Sequence, residues 1–203
     1  LCLTLMNEIP TPAKSEKSAW MDAKEGLRYA ISKPELVGTY LIDIVAMVFA
    51  FPVALFPAMS QNWGGAKAAG ILFSAMAVGS LVTTFLSGWT EKVKYRGRGV
   101  VIAAAFWGVF IIGTGFANNL WVCFAFLALA GASDMVSGLF RGVIWNETVP
   151  NTLRGRLSGI EMISYMTGPL LGNARAGWVA AKYSVGFSLY SGEIGRASCR
   201  ERV

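Results

Sequence analysis

Long apolar segments separated by short basic loops constrain this chain more than any other feature of its sequence. A helix needs about 20 apolar residues to cross a bilayer, and five segments meet this need: residues 36–59, 68–89, 100–117, 120–145 and 157–181. Only 15% of the residues are charged, whereas a soluble domain has about a quarter. The sequence therefore predicts an all-α membrane protein with about five transmembrane helices between residues 36 and 181.

The charges in the loops predict the orientation of these helices. Eleven Lys and Arg residues lie before the first segment or in the loops after the second and the fourth, while the intervening connections contain only Lys67 and Lys182. Because cytoplasmic loops retain Lys and Arg, we expect the basic loops to be cytoplasmic in a multi-pass protein of the inner or plasma membrane. This topology in the lipid bilayer accounts for the net charge of +6, so no nucleic-acid partner is expected.

The segments that flank the five apolar ones differ from them in composition. Residues 1–6 are apolar and are interpreted as the end of a preceding transmembrane helix, so we expect the chain to begin inside a larger protein. Residues 7–35 are polar and predict a cytoplasmic linker, in which residues 18–31 form a short amphipathic helix on the membrane surface. An ordinary solvated linker is the alternative. Residues 182–192 are expected to form an outer loop.

The last residues, 193–203, do not resemble the rest of the chain. From Ile194 to Val203 they match the translation of a common short-read sequencing adapter, in a reading frame whose next codon is a stop. The alternative is a natural basic tail, which would place Arg196, Arg200 and Arg202 on the outer side, against the charge rule. We therefore interpret this segment as a non-native tail and expect the natural sequence to continue differently after Gly192.

The composition also excludes several kinds of chemistry. The chain has no histidine, which removes His-based metal sites, Ser-His-Asp triads and imidazole proton relays. Its three cysteines, Cys2, Cys123 and Cys199, are scattered, and this spacing indicates neither a disulfide framework nor a zinc site. A membrane-embedded enzyme would need a clustered nucleophile, metal or acid set. We expect no enzymatic activity, no metal and no cofactor.

Three motifs resemble those of the major facilitator superfamily of transporters. Residues 87–99, SGWTEKVKYRGRG, resemble the second copy of the family's cytoplasmic loop motif, in which a glycine precedes an acid and a basic cluster. The matching residues are Gly88, Glu91, Arg96 and Arg98. Glu91 lies three residues after Gly88, where the family usually has an Asp four residues after, so this sequence departs from the pattern there.

The other two motifs lie in and before the fifth apolar segment. Residues 147–165 contain Pro150, Arg154, Gly155 and Arg156, which resemble the Pro-x-x-x-Arg-Gly-Arg loop of the enterobactin-exporter-like branch. Residues 167–173, TGPLLGN, resemble the Gly-Pro-x-x-Gly antiporter motif through Gly168, Pro169 and Gly172. Within a helix, Gly168 and Pro169 favour a bend, either at a moving interface or as a static kink.

This resemblance covers nearly all of residues 1–192 and implies a truncated C-terminal half, with helices 7–11 of the family. It implies a secondary active transporter that exports a small-molecule substrate by alternating access, with proton antiport as the driving force. Such a transporter requires the missing N-terminal half of the same protein to complete its cavity. The alternative is a non-transporting membrane sensor or anchor, which should carry a soluble domain, although the longest polar segment here is residues 7–35.

Charged residues inside the apolar segments point to a site, because charges in hydrocarbon cost several kcal/mol. They are Asp43, Asp134, Arg141, Glu161 and Arg175. Asp134 is near the middle of its segment, and we expect it to face an aqueous cavity together with Asp43, where it would bind a cationic group or carry a proton. A hydrogen bond to a neighbouring helix is the alternative for Asp134.

Positions along the helix axes predict which charges meet. Arg141 is seven residues after Asp134, about 10 Å along the axis, and neither it nor Asp43 is expected at the depth of Asp134. Arg141 and Glu161 share a depth near the cytoplasmic ends of their helices and are predicted to form a gate ion pair, unless each extends separately to the interface. The third segment is uncharged, and its residues Phe106, Trp107 and Phe110 predict a helix that faces lipid.

Overall fold

Residues 19–50, 53–185, 187–189 and 191 are described by the structure, a computed structural model. The predictions for residues 1–6 and for the tail at 193–203 lie outside the described residues. Seven α-helices, connected by turns and short 3₁₀ helices, make up most of the described part of the chain. They are α1 (Ala19–Ser32), α2 (Pro34–Ala50), α3 (Phe56–Ser60), α4 (Ala66–Phe85), α5 (Arg96–Gly115), α6 (Leu120–Thr148) and α7 (Arg154–Lys182).

Four helical segments among the described residues are long and apolar enough to cross a membrane. They are Pro34–Trp63, Ala66–Phe85, Arg96–Gly115 and Leu120–Thr148, and their mean hydropathy lies between 1.6 and 2.2. This confirms the predicted all-α membrane fold. The fifth predicted crossing corresponds to α7, which is long enough at 29 residues. Because charged and polar residues interrupt its apolar face, a crossing by α7 stays a prediction.

The first apolar segment changes its helical geometry partway along. α2 ends at Ala50, a 3₁₀ helix covers Val53–Leu55, and α3 follows with Pro57 in its first turn. Pro52 has no N–H, so the sequence at this point cannot support a continuous hydrogen-bond ladder. Two side chains of α7 form hydrogen bonds with backbone groups before and after Pro52. Asn173 Oδ1 accepts a hydrogen bond from the Ala54 N–H at 2.9 Å, and Arg175 donates one to the Phe49 carbonyl at 2.8 Å.

Helices α4 and α6 touch through two glycines. A Cβ atom added to Gly79 of α4 would overlap the carbonyl oxygen of Ala128 on α6, and one added to Gly131 of α6 would overlap the carbonyl oxygen of Met76 on α4. Ser80 also donates a hydrogen bond to the Gly131 carbonyl at 3.1 Å. The two backbones are therefore in direct contact, which only glycine at both positions permits.

Helix α5 has one buried side and one exposed side. The buried residues follow helical spacing and include Val100, Ala104, Trp107 and Ile111, with Trp107 only 2% exposed. On the other side Phe106 is 53% exposed. The prediction that the third segment faces lipid is therefore wrong for the side that carries Trp107. A mean over the segment cannot distinguish its two sides, because adjacent residues point about 100° apart around a helix.

Helix α7 packs on α2 through small residues. α7 stays helical through Pro169. A Cβ atom added to Gly168 would lie 2.8 Å from the Cβ atom of Met47 on α2. Gly172 and Ala176, one and two turns further along α7, are also buried. The motif at residues 167–173 thus lies where α7 approaches α2 closely.

Helix α1 lies against the beginning of α7 and the end of α6. Its residue Gly26 allows this approach, since an added Cβ atom would be 3.4 Å from the Cβ atom of Arg156. Tyr29 donates a hydrogen bond to the Thr148 carbonyl at 2.7 Å. The apolar residues Trp20, Leu27 and Ile31, which helical spacing places on one side of α1, are exposed in the structure. Whether this side rests on a membrane surface stays a prediction.

Candidate functional site

A guanidinium group lies between two carboxylates in the space between α2 and α6. Arg141 Nη1 of α6 forms an ion pair with Asp43 Oδ1 of α2, and Arg141 Nη2 lies 4.0 Å from Asp134 Oδ1. Asp43 is buried and only 6% exposed. We name these three residues the charged cluster. Arg141 pairs fully with Asp43, and its contact with Asp134 is long.

Helical spacing brings these side chains together. On α2, Leu36, Asp43 and Met47 are all buried and lie on one side of the helix. On α6, Asp134 and Arg141 are seven residues apart, which is about two turns. The chain directions of α2 and α6 are opposite, so the later residues of α6 approach the earlier residues of α2.

The prediction that neither Arg141 nor Asp43 lies at the depth of Asp134 is corrected by the structure, in which Arg141 is close to both carboxylates. The predicted separation of about 10 Å refers to backbone positions along the axis. Side chains of a helix point toward its N-terminus, and Arg has a long side chain. The guanidinium of Arg141 therefore reaches back toward Asp134, while α2 presents Asp43 at the same level.

Both predicted cavity residues line one small pocket. Its wall is formed by Ile42, Asp43, Ala46, Ala104, Trp107, Asp134 and Ser137, which belong to α2, α5 and α6. The pocket has a volume of about 10 Å³, which is close to the space that one water molecule needs. Trp107 and Ser137 were not predicted as site residues, because an aromatic or hydroxyl side chain in an apolar segment carries no signal of its own.

The predicted ion pair between Arg141 and Glu161 is not formed. Glu161 is half-buried on α7, and Arg141 binds Asp43 instead. The reason is the order of the helices. α2 packs extensively on α7 and also contacts α6, whereas α6 and α7 make little direct contact. Arg141 therefore lies next to Asp43 of α2 and pairs with it, and it forms no ion pair with Glu161 of α7.

The motif residues of the basic loops bind the ends of the helices and not the pocket. Arg96 at the start of α5 donates hydrogen bonds to both carboxylate oxygens of Glu147 at the end of α6, at 2.5 and 2.6 Å. Arg98 lies over the ring of Tyr95 at 5.1 Å. Gly88 lies in an exposed 3₁₀ helix, Ser87–Lys92. The side chain of Glu91 lies outside the described residues.

The loop before α7 makes similar contacts. Arg154 donates a hydrogen bond to the Asn146 carbonyl at 3.2 Å, near the end of α6. Arg156 forms an ion pair with Glu25 of α1 at 2.9 Å. These arginines connect the beginning of α7 with the end of α6 and with the middle of α1, on the predicted cytoplasmic side. Exposed pairs of this kind stabilise a fold by about 0–1 kcal/mol each. Their main effect is therefore on the relative positions of the helices.

No group of three or more His, Cys, Asp or Glu that could hold a metal ion occurs within the described part of the chain. The charged cluster has two acids and one base, and its arginine competes with any metal for the acids. The arrangement can accept one further positive charge, carried by a proton or by a cationic group. Asp134 is the acid with the weaker partner and is the better acceptor.

These features define an all-α, multi-pass membrane protein with a partly buried charged cluster between its helices. The chain is similar to curated enterobactin exporters named EntS. It is 26% identical over 185 residues to that of Shigella flexneri, a match that covers 89% of this chain and 43% of the exporter. It is 25% identical to those of Escherichia coli O9:H4 (strain HS) and Escherichia coli (strain SE11), covering 89% of this chain and 44% of each exporter.

The chain thus spans less than half the length of the curated relatives it matches. No protein-family model matches the chain. No solved structure matches it either. The similarity to these exporters extends over nearly the whole of this chain.

Proposed function

We propose that the chain is part of a transporter of the major facilitator superfamily that exports a small molecule across the inner membrane. The observation that carries the proposal is the charged cluster of Asp43, Asp134 and Arg141 between apolar helices. Ionisable residues at such positions are costly and usually act on an ion or a substrate. The similarity to exporters over 89% of the chain supports the same conclusion.

The proposed mechanism is alternating access, in which two halves rock around a site near the middle of the membrane. The chain would supply the C-terminal half, and the N-terminal half of the same transporter would supply the other wall. The pocket seen here has room for about one water molecule. A substrate would therefore bind in the larger cavity between the halves, next to the acids of the charged cluster.

Proton antiport is the proposed driving force. The charged cluster has two carboxylates and one guanidinium, so one carboxylate charge has no counter-charge within it. Arg141 neutralises Asp43, which leaves Asp134 to bind a proton or a cationic substrate group in exchange. Asp43 then acts as the group that holds Arg141 in place.

The rival function, a membrane sensor or anchor without transport, is not favoured by the comparisons. A sensor or anchor has no need of a carboxylate in the middle of an apolar helix, since helices pack well without one. A purely structural role for Asp134 would use a hydrogen bond to a neighbouring helix. Its nearest charged partner lies 4.0 Å away and on its own helix.

The test is Asp134→Asn in the complete transporter. Asparagine keeps the shape and the hydrogen-bonding capacity of the side chain but removes the titrating charge. We expect export to be lost or to become independent of pH, with normal insertion in the membrane. Ser133→Ala is the matched control, because Ser133 binds only a carbonyl of its own helix. Wild-type export across pH by the Asp134→Asn protein would refute the proposed site.

A further inference from the structure

We propose that water enters the protein between α2, α6 and α7 and hydrates the charged cluster from the side of Glu161. Among the buried polar atoms that have no hydrogen-bond partner within the described residues, four lie on α2, α6 and α7. They are Tyr40 Oη on α2, Arg141 Nε and Trp145 Nε1 on α6, and Ser164 Oγ on α7. Buried polar groups in proteins are nearly always hydrogen-bonded, to protein or to ordered water. Four exceptions on three helices call for a common partner.

These atoms lie in one layer, next to the charged cluster. Tyr40 is one turn before Asp43 on α2, and Trp145 is one turn after Arg141 on α6, which has the opposite direction. Tyr40 and Trp145 both pack on a buried apolar group that contains Leu36. They lie close to each other without meeting hydrogen-bond geometry.

Helix α7 supplies the third side of this layer. Leu157 packs with Leu36 of α2, and Gly168 packs with Met47, so α2 and α7 have the same direction. Ser164 is one turn before Gly168 and therefore faces α2 between these two contacts. Glu161 is three residues before Ser164 and half-buried. We name Tyr40, Trp145, Glu161 and Ser164 the polar layer.

The chemistry of the unpartnered atoms favours water over any other occupant. The N–H groups of Arg141 and Trp145 need an acceptor, whereas the carboxylates of Asp134 and Glu161 need a donor. An anion could serve only the former and a metal cation only the latter, but water serves both. The distance of 4.0 Å between Arg141 and Asp134 is also too long for a direct hydrogen bond and suits a bridging water.

The inference rests on the proposed function, since it gives a route to the same site. Water in the polar layer would connect Glu161 with Asp134 and let the charged cluster exchange protons with the predicted cytoplasmic side. The route ends at the small pocket, whose volume of about 10 Å³ suits a single water molecule. Glu161 is then an entry residue and not the partner of Arg141 in a gate.

The test uses Ag⁺, a cation of nearly the size of water that reaches thiols only through an aqueous path. Ser164→Cys and Tyr40→Cys are made in the complete transporter, with every native cysteine, including Cys2 and Cys123, replaced by serine. Ag⁺ is added to inside-out vesicles, where it displaces the thiol proton to form a silver thiolate. The measured quantity is the rate at which each thiol becomes protected from later alkylation in detergent.

Ile102→Cys is the matched control. Ile102 is six residues into α5, as Tyr40 is six residues into α2, and its neighbours Phe106 and Val109 form an exposed apolar stripe. We expect Ser164→Cys and Tyr40→Cys to be protected at least about tenfold faster than Ile102→Cys, since thiolates form in water and not in hydrocarbon. Equal, slow protection of Ser164→Cys and Ile102→Cys would overturn the proposal.

Two further results separate this inference from other failures. Cysteine is close to serine in size, so Ser164→Cys should fold even if Tyr40→Cys does not. The result for Ser164→Cys alone is then enough to support or overturn the proposed hydration. If Asp134→Asn abolishes export while Ser164→Cys stays unreactive, the proposed function stands and the hydrated layer is wrong. If Ser164→Cys reacts quickly while Asp134→Asn exports normally, the layer is hydrated but does not serve transport.

Discussion

Arg141 binds Asp43 of the neighbouring helix more closely than it binds Asp134 of its own. The closer partner is also the more buried one, with 7% of the Asp43 side chain accessible against 35% for Asp134. The ion pair therefore connects two helices, whereas the longer contact stays within one. We propose on this basis that Asp43 has a structural role and Asp134 a functional one, and the first prediction tests the role of Asp43.

Replacing Arg141 with methionine should destabilise the protein, because it leaves Asp43 buried without a counter-charge. Removing one partner of a buried pair typically costs about 3–5 kcal/mol. The fraction of protein that stays monodisperse after heating in detergent measures the effect. The double variant Asp43→Asn, Arg141→Met has no buried charge at this contact and should recover much of the loss. If it is as unstable as Arg141→Met alone, the ion pair is not the cause.

Gly79→Ala and Gly131→Ala should each destabilise the contact between α4 and α6. The new methyl group would overlap a backbone carbonyl of the facing helix, and backbone cannot move aside as a side chain can. Overpacking of this kind costs about 1–3 kcal/mol or more. Gly70→Ala on α4 and Gly142→Ala on α6 are matched controls, since their added Cβ atoms meet nothing within 4 Å. Midpoints of thermal unfolding in detergent compare all four, and equal midpoints would contradict the contact.

Asn173→Ala should expose the amide of Ala54, which loses its acceptor. A hydrogen bond contributes about 0.5–1.5 kcal/mol, so hydrogen exchange at Ala54 should be about two- to tenfold faster, as measured by mass spectrometry. Asn173→Asp retains an acceptor oxygen and serves as the control. Unchanged exchange in the alanine variant would show that α7 does not support the end of the first span.

Cysteines at four exposed positions should reveal the orientation of the helices. In a protein without its native cysteines, a thiol at Lys94 or Asn151 should react with an impermeant reagent only after the membrane is permeabilised. A thiol at Asn62 or Tyr183 should react from outside. All four residues are exposed in the structure, so slow reaction would reflect the membrane and not burial. The opposite pattern would reverse the predicted topology.

The positions of the helices could be predicted from the sequence because they depend on sums over many residues. The predicted segment 120–145 and helix α6 begin at the same residue, Leu120, and the predicted helix at 18–31 corresponds to α1 at Ala19–Ser32. Apolar length sets where a helix can cross a membrane. A few residues change such a sum very little, so the presence of each helix is predicted well but its ends less so: the predicted segment 68–89 corresponds to α4, which ends at Phe85.

The partners of individual side chains could not be predicted in this way. The sequence placed Arg141 with Glu161 by depth, but depth does not show which helix lies between the two. Trp107 looked like a lipid-facing residue because its whole segment is apolar, although its own side of α5 is buried. Tyr40 and Ser164 gave no signal, because a hydroxyl in an apolar helix can bind its own backbone. Only the packing of the helices decides these contacts.

The glycine contact between α4 and α6 sets a mechanical limit on how the protein can move. Gly79 and Gly131 each face the backbone of the other helix, so neither helix can slide or turn without collision. At the contact between α2 and α7, by contrast, a Cβ atom added to Gly168 would meet the Cβ atom of Met47 at 2.8 Å, and the backbone atom of α2 nearest to it, the Ile44 Cα, is 3.9 Å away. The contact between α4 and α6 is therefore the tighter of the two. Any relative movement of helices within this bundle should occur between α2 and α7.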